Sequence, residues 1–262
     1  MITDFSGWLM TKSNINIYAL EGIPEIHVGD NLGEIIIRQL RLQNLVLEEK
    51  DVIVIAQKIV SKSEGRVIDL NDVKPSGLAV TLSKGHRRDA RHTELILQES
   101  KRIVRMERGI IISETHHGFT CANAGIDASN IPGSDHVALL PIDPDNSARM
   151  IRSIIQKDLG FSVGVIISDT FGRPWRTAAV NVAIGIAGFN PIVSYVGESD
   201  EYGNKLHTSQ INVADELSAA AELVTGKLDS IPVSVIKGFP IEVMENASLN
   251  MLIRDPDKDL FR

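Results

Sequence analysis

Two carboxylates stand in stretches that hold little else able to do chemistry. Asp127 lies in ANAGIDASN (122–130), among seven small residues and one isoleucine. Asp169 ends the apolar run of GVIISDTFGRPWR (164–176), with Thr170 beside it and Gly172 interrupting the chain before Arg173 and Arg176. A carboxylate next to a hydroxyl is a pair of hard oxygen donors, suited to Mg²⁺ or Mn²⁺ held together with phosphate oxygens. Small residues around Asp127 allow a ligand close to the backbone, and Gly125 opens conformations closed to other residues. Each segment taken alone also reads as a polar turn, because Asp, Asn, Gly and Ser favour turns. If the two converge, they form a carboxylate pair able to hold a cation on a nucleotide's phosphates.

A third stretch, AQKIVSKSEGR (56–66), carries Lys58, Lys62 and Arg66 with Ser61 and Ser63 just after an apolar run. Cations and hydroxyls in that position suit phosphate binding. The chain has no phosphate loop of the Walker type: TGKL (225–228) lacks the upstream glycine and the Ser or Thr after Lys227. His116 and His117 are adjacent and so diverge on a strand or a helix, poor geometry for sharing a metal, and they read as loop residues. Cys121, the one cysteine, reads as a small buried residue, and no G-x-S-x-G elbow occurs. AIGIAG (183–188) marks close packing or close approach to a ligand.

The elements that must position these groups are legible as apolar runs. VIVIA (52–56), GIIIS (109–113), VGVIIS (163–168) and VSVIK (233–237) read as buried strands. DNLGEIIIRQL reads as a helix capped by Asn31, with Glu34 three residues on. NSARMIRSIIQKDLG reads as a helix starting from a cap at Asn146 or Ser147 and stopping at Gly160, and ADELSAAAELVTG as one stopping at Gly226. The basic stretch KGHRRDARH (84–92) leads into TELILQESKRIVRM, whose apolar spacing reads as a helix with a solvated charged face. The alternation of strands and helices is too irregular for a doubly wound parallel sheet. The expected class is α+β, a mixed sheet with helices in one folding unit over 1–262 that could be bilobed.

With 34 acidic against 27 basic residues and a net charge of −7, the chain carries no overall footprint for nucleic acid. No apolar run reaches the roughly 18 to 20 residues of a membrane helix. No export signal is visible in MITDFSGWLMTKSNINIYAL, so a cytoplasmic protein without membrane partners is expected.

Taken in order, EGIPEI (21–26), KIVSKSEGR (58–66), NAGIDASN (123–130), LLPIDPDNSA (139–148), SDTFGRPWR (168–176), AIGIAG and ADELSAAAELVTGK (214–227) resemble the coenzyme F420:L-glutamate ligase family over nearly the whole chain. The likeness is greatest to the N-terminal ligase domain of the bifunctional actinobacterial enzyme. The 25 residues after VSVIK are too few for that enzyme's flavin-binding, nitroreductase-like domain. The resemblance implies a fold particular to the family, an intertwined homodimer, and ligation of L-glutamate to the phospholactyl carboxylate of coenzyme F420-0. GTP, with Mg²⁺ or Mn²⁺ and K⁺ as a further cation, would convert that carboxylate to an acyl phosphate, and GDP and phosphate would leave. By the same resemblance Asp127 and Asp169 are the catalytic carboxylates and hold metal with Thr170. Ile23, Pro24, Glu25, Ile26, Gln57, Lys62 and Asn130 contact GTP.

Two positions depart from the family pattern. Gln57 stands where relatives often carry Ser, and Lys227 stands where some members have an acid that helps bind a second metal; Lys227 would instead neutralise phosphate charge. Arg173 and Arg176 would meet phosphate or carboxylates of the substrate. A related nucleotide-dependent amide ligase acting on another carboxylate, and a regulatory nucleotide-binding protein without turnover, are the alternative readings.

Overall fold

The computed structural model describes residues 14–84 and 88–260. The first 13 residues of the stretch read for an export signal, and residues 85–87 of the basic stretch, lie outside it. In chain order the first half comprises β1 (Asn16–Ala19), α1 (Leu32–Leu42), β2 (Val52–Ala56), α2 (Gln57–Ser63), β3 (Val67–Asp69), α3 (Gly77–Ser83) and α4 (Ala90–Gln98). There follow β4 (Ser100–Glu107), β5 (Ile110–Thr115), β6 (Thr120–Ala122), β7 (His136–Ala138) and α5 (Pro144–Leu159). The chain continues through β8 (Gly164–Gly172), β9 (Ala179–Phe189), β10 (Ile192–Ser194), β11 (Gln210–Asn212), α6 (Val213–Thr225), β12 (Val233–Lys237) and β13 (Val243–Met244).

Three of the four β-branched runs, as β12, β2 and β8, form the middle of a sheet ordered β1-β12-β2-β8-β9-β13, while GIIIS falls in β5 of a separate β4-β5-β6 sheet. Only β2 and β8 run parallel; the other pairs are antiparallel, so the sheet is mixed, as the irregular alternation implied. Both faces of the sheet are covered, which is why these strands are apolar at every position rather than at alternate ones. On one face Ile53, Ile55, Val165 and Ile167 pack with Ile36 and Leu40 of α1 and Ile151 and Ile155 of α5. On the other, Val52, Val54 and Ile166 pack with Ala214, Leu217 and Ala221 of α6. A separate cluster of Leu70, Leu95, Ile96, Ile111, Ile126, Val137 and Leu139 joins α4 to the β4-β5-β6 sheet and the β3-β7 ribbon.

Most element ends follow their sequence signals. Asn31 caps α1, its side chain accepting from the Glu34 amide at 3.3 Å. Gly160 closes α5 in the left-handed region, φ +81°. Two expectations are corrected. The helix read from a cap at Asn146 or Ser147 begins earlier: Asp143 is the cap, accepting from the Asn146 amide, and Pro144 opens the helix. Proline is preorganised for a first turn, where its missing N–H leaves no bond unmade. The helix read through TELILQESKRIVRM stops at Gln98, and SKRIVRME is the edge strand β4 paired to β5. The β-branched Ile103 and Val104 segment instead folds back on β5 in a hairpin whose two-residue turn, Arg108 and Gly109, takes positive φ values of 52° and 80°, so a local turn overrides the helical spacing.

The glycines of AIGIAG serve packing. A Cβ on Gly185 would stand 2.5 Å from the backbone of Pro144, and one on Gly188, at φ +90°, would meet Arg152. They let α5 lie directly on β9. Among the described residues no helix is long and apolar enough to cross a membrane.

Candidate active site

The parallel pairing of β2 with β8 ends at Ala56 and Ser168, and the residues that follow on each side line the same opening. Gln57 and Lys58 begin α2 directly after β2; Asp169 and Thr170 continue β8 past its apolar part. The carboxyl ends of parallel strands are where open sheets containing them place ligands. Between Ile167 and Ser168 the pairing of β8 with β9 slips by one residue, leaving Ile184 as a bulge. A bulge bends and twists its strand, and here it sits immediately before Asp169 and Thr170.

The opening is a cavity of about 320 Å³, bounded by residues 23–26, the start of α2, the ends of β8 and α6, and the segment that leads into β12. Ile23, Pro24, Glu25, Ile26, Gln57, Lys62, Asn130, Asp169, Thr170 and Lys227 all line it. Segments far apart in the chain are thus brought together as the motifs suggested. Asp127 stands just outside this lining and is joined to it by Lys58, whose Nζ donates to Asp127 Oδ2 at 2.6 Å and to Ser129 Oγ at 2.7 Å.

The small residues before Asp127 have a packing cause. Asn123, Ala124 and Gly125 take successive positive φ values of 56°, 54° and 72°, and a Cβ on Gly125 would meet Leu140 at 2.8 Å. This turn delivers Asp127 into a two-bond bridge with Ala138, which fixes its backbone.

The two carboxylates differ electrically. Burial alone would raise the pKa of Asp127, but hydrogen bonds from Lys58 and Ser129 outweigh it and hold the group below its usual value. Burial raises Asp169 to about 7, with the nearby charge of Asp127 adding to the shift. The Thr170 amide and the charges of Lys58 and Lys227 oppose that rise without cancelling it. Asp169 is therefore a desolvated carboxylate short of counter-charge, beside a second carboxylate.

The remaining contacts sort the other candidates. Lys62 pairs with Glu25 at 2.6 Å on the cavity wall, and Asn130 Nδ2 donates to the Lys227 carbonyl at 3.3 Å. One end of the Gln57 amide meets Ser61 Oγ at 2.8 Å, while its other end and Ser234 Oγ, on cavity-lining residues, are buried without a partner. Ser61, Ser63 and Arg66 are occupied structurally: Ser61 bonds the Leu139 carbonyl, Ser63 the Val60 carbonyl, and Arg66 pairs with Glu99. Arg173 and Arg176 lie exposed in the turn between β8 and β9 and do not line the cavity. His116 and His117 bond the carbonyls of Gln98 and Pro141. Burial lifts the Cys121 thiol to about 12, far from a nucleophile's range.

Sequence reasoning missed Asn181 and Glu222, both on the cavity wall and both tied to Thr170 through hydrogen bonds. Asn181 sits in no recognisable motif, and Glu222, though inside ADELSAAAELVTGK, carries no signal of its own there; the β8–β9 register and the face of α6 bring them in. Among the described residues no three His, Cys, Asp or Glu side chains group to hold a metal. A cation here would have two carboxylates, a hydroxyl and oxygens of its ligand.

A family model described as F420-0:Gamma-glutamyl ligase matches residues 22–238. The chain is 44% identical over 251 residues to "Coenzyme F420:L-glutamate ligase" of Methanothermobacter thermautotrophicus, covering 95% of this chain and 99% of that one. It is 41% identical over 254 residues to the protein of the same name from Methanocaldococcus jannaschii, covering 96% and 98%. With the Methanopyrus kandleri protein so named it shares 40% over 250 residues, covering 93% and 97%.

Proposed function

Because this chain belongs to the F420-0:gamma-glutamyl ligase family, we propose that it ligates L-glutamate to the carboxylate of coenzyme F420-0 at the expense of GTP. The observation that carries the reading is that Asp169 and Lys58 line one cavity with Lys62 and Lys227, with Asp127 bonded to Lys58 just outside it. Its volume of about 320 Å³ is at the lower end of that of small-molecule sites.

The residues fit a divalent cation and a nucleotide. Asp169 is short of counter-charge, Asp127 borrows it from a lysine, and Thr170 adds a neutral oxygen. Asp127, Asp169 and Thr170 would hold Mg²⁺ or Mn²⁺. The cation's contribution would be to offset charge on the polyphosphate while the γ-phosphoryl group moves to the acceptor carboxylate. Lys58, Lys62 and Lys227 surround the same space with fixed positive charge, which needs no reorganisation as charge shifts among phosphate oxygens. Residues 23–26 and Asn130 form the walls against which the nucleoside would lie, and the unpartnered end of the Gln57 amide is a polar group awaiting a partner. The acyl phosphate would be attacked by the glutamate amine, forming the amide and releasing phosphate. Holding these groups together in one cavity converts a three-substrate encounter into an oriented one.

Phosphate release in the presence of Mn²⁺ and GTP tests the reading. It is expected only when F420-0 and L-glutamate are both present, with a product heavier by one glutamyl residue. Release with another carboxylic acid but not F420-0 points to a different amide ligase, and nucleotide binding without release under any combination points to a regulatory protein.

A further inference from the structure

Thr170 on β8 and Asn181 on β9 are direct cross-strand partners. The Thr170 hydroxyl donates to Asn181 Oδ1 at 2.7 Å, and Asn181 Nδ2 donates to Glu222 Oε2, on α6, at 2.8 Å. Asn181 is only 8% exposed, and all three residues line the cavity.

The directions of these bonds are dictated by chemistry. An ionised carboxylate only accepts, so the amide nitrogen of Asn181 must face Glu222. That turns Oδ1 toward Thr170, and the single hydroxyl proton of Thr170 must point at it. The reverse arrangement would set two acceptors against each other at the buried Asn181, at the cost of an unmade hydrogen bond on each. With its proton committed, Thr170 Oγ1 has only lone pairs left for the cavity. It is unable to donate to a phosphate oxygen but able to donate electron density to a cation.

We propose that Asn181, anchored by Glu222, is a positioning residue that fixes the Thr170 hydroxyl as a lone-pair ligand for the divalent cation. The inference rests on the cation reading above and deepens it. Partners beyond the direct ligands orient those ligands, and their loss costs metal affinity about 10- to 100-fold. The relay also explains a polar asparagine in an otherwise apolar stretch of β9: it is satisfied on both ends, so its burial carries little penalty.

The test is Mn²⁺ affinity of the full chain, followed by electron paramagnetic resonance with GDP present, for folded variants identified by far-UV circular dichroism. Asp169→Asn is expected to weaken Mn²⁺ strongly and Thr170→Val to weaken it at least tenfold, while Thr170→Ser stays close to the unaltered protein. Asn181→Leu, and the smaller Asn181→Ala should the first not fold, are expected to weaken it about tenfold. The decisive variant is Thr170→Val combined with Asn181→Leu or Asn181→Ala. A residue that acts only through Thr170 adds nothing once that hydroxyl is gone, so the double variant should match Thr170→Val alone. Additive losses, or unaltered affinity in the Asn181 variants, would overturn the relay and leave the cation reading standing. Unaltered affinity in Asp169→Asn would overturn the cation reading and the relay with it.

Discussion

Asp127 and Asp169 are chemically the same side chain in two different environments. A lysine at 2.6 Å stabilises the charge of the first, and protein surroundings penalise the charge of the second. Replacing either by Asn keeps shape and removes charge. Steady-state glutamylation by Asp127→Asn or Asp169→Asn is expected to fall by about 10²–10³-fold, with circular dichroism unchanged. The raised Asp169 value also has a sign for stability. Between 3.8, the ordinary value, and about 7, the folded state binds more protons than the unfolded one. In EDTA, stability from this group is thus fully present at low pH and lost as pH rises through about 7. Urea unfolding at pH 5 and pH 8 should show Asp169→Asn gaining on the unaltered protein at the higher pH. An equal difference between the two proteins at both values would remove the assigned cause. The depressed Asp127 has the opposite sign: its contribution is present above the ordinary value and fades as pH falls through its own lower one.

At the scale of elements, the stability of the sheet depends on how closely α5 lies on β9. Asp145, in the first turn of α5, accepts from the Ile186 amide at 2.8 Å and from Ser248 and the Leu249 amide, so one carboxylate ties the helix to β9 and to the segment after β13. Gly185 permits that contact, because any Cβ there would collide with the Pro144 backbone rather than with a yielding side chain. Gly185→Ala is expected to destabilise by about 1–3 kcal/mol, read as a lower urea midpoint. A midpoint within error of the parent would show that the helix shifts freely. Asp143→Ala removes the α5 cap and should cost about 1 kcal/mol in the same assay.

At the scale of the whole molecule, the cavity is closed by segments from nearly the full length of the chain, from Ile23 to Ser234. Turnover is therefore expected of the intact protein without a partner protein. Competition between GTP and ATP in the phosphate-release assay should favour GTP; equal specificity constants would remove that preference and leave the ligase proposal intact. The motif resemblance to the family implies a homodimer, for which sedimentation equilibrium should return twice the chain mass of 28.7 kDa.

The sequence alone determined the local and the chemical. Apolar runs marked the central strands because they are buried on both faces, and glycine and asparagine marked helix ends because they satisfy the backbone there. The ordered motifs identified the family, and Asp127, Asp169 and Thr170 stood out by residue type. What the tertiary structure decided depends on contacts distant in the chain. It packed Gly125, just before Asp127, against Leu140. It bound Arg66 to Glu99, while Lys58 went to Asp127. It also placed Asn181 and Glu222 behind Thr170, because strand register and helix facing are set by the packing of the whole sheet.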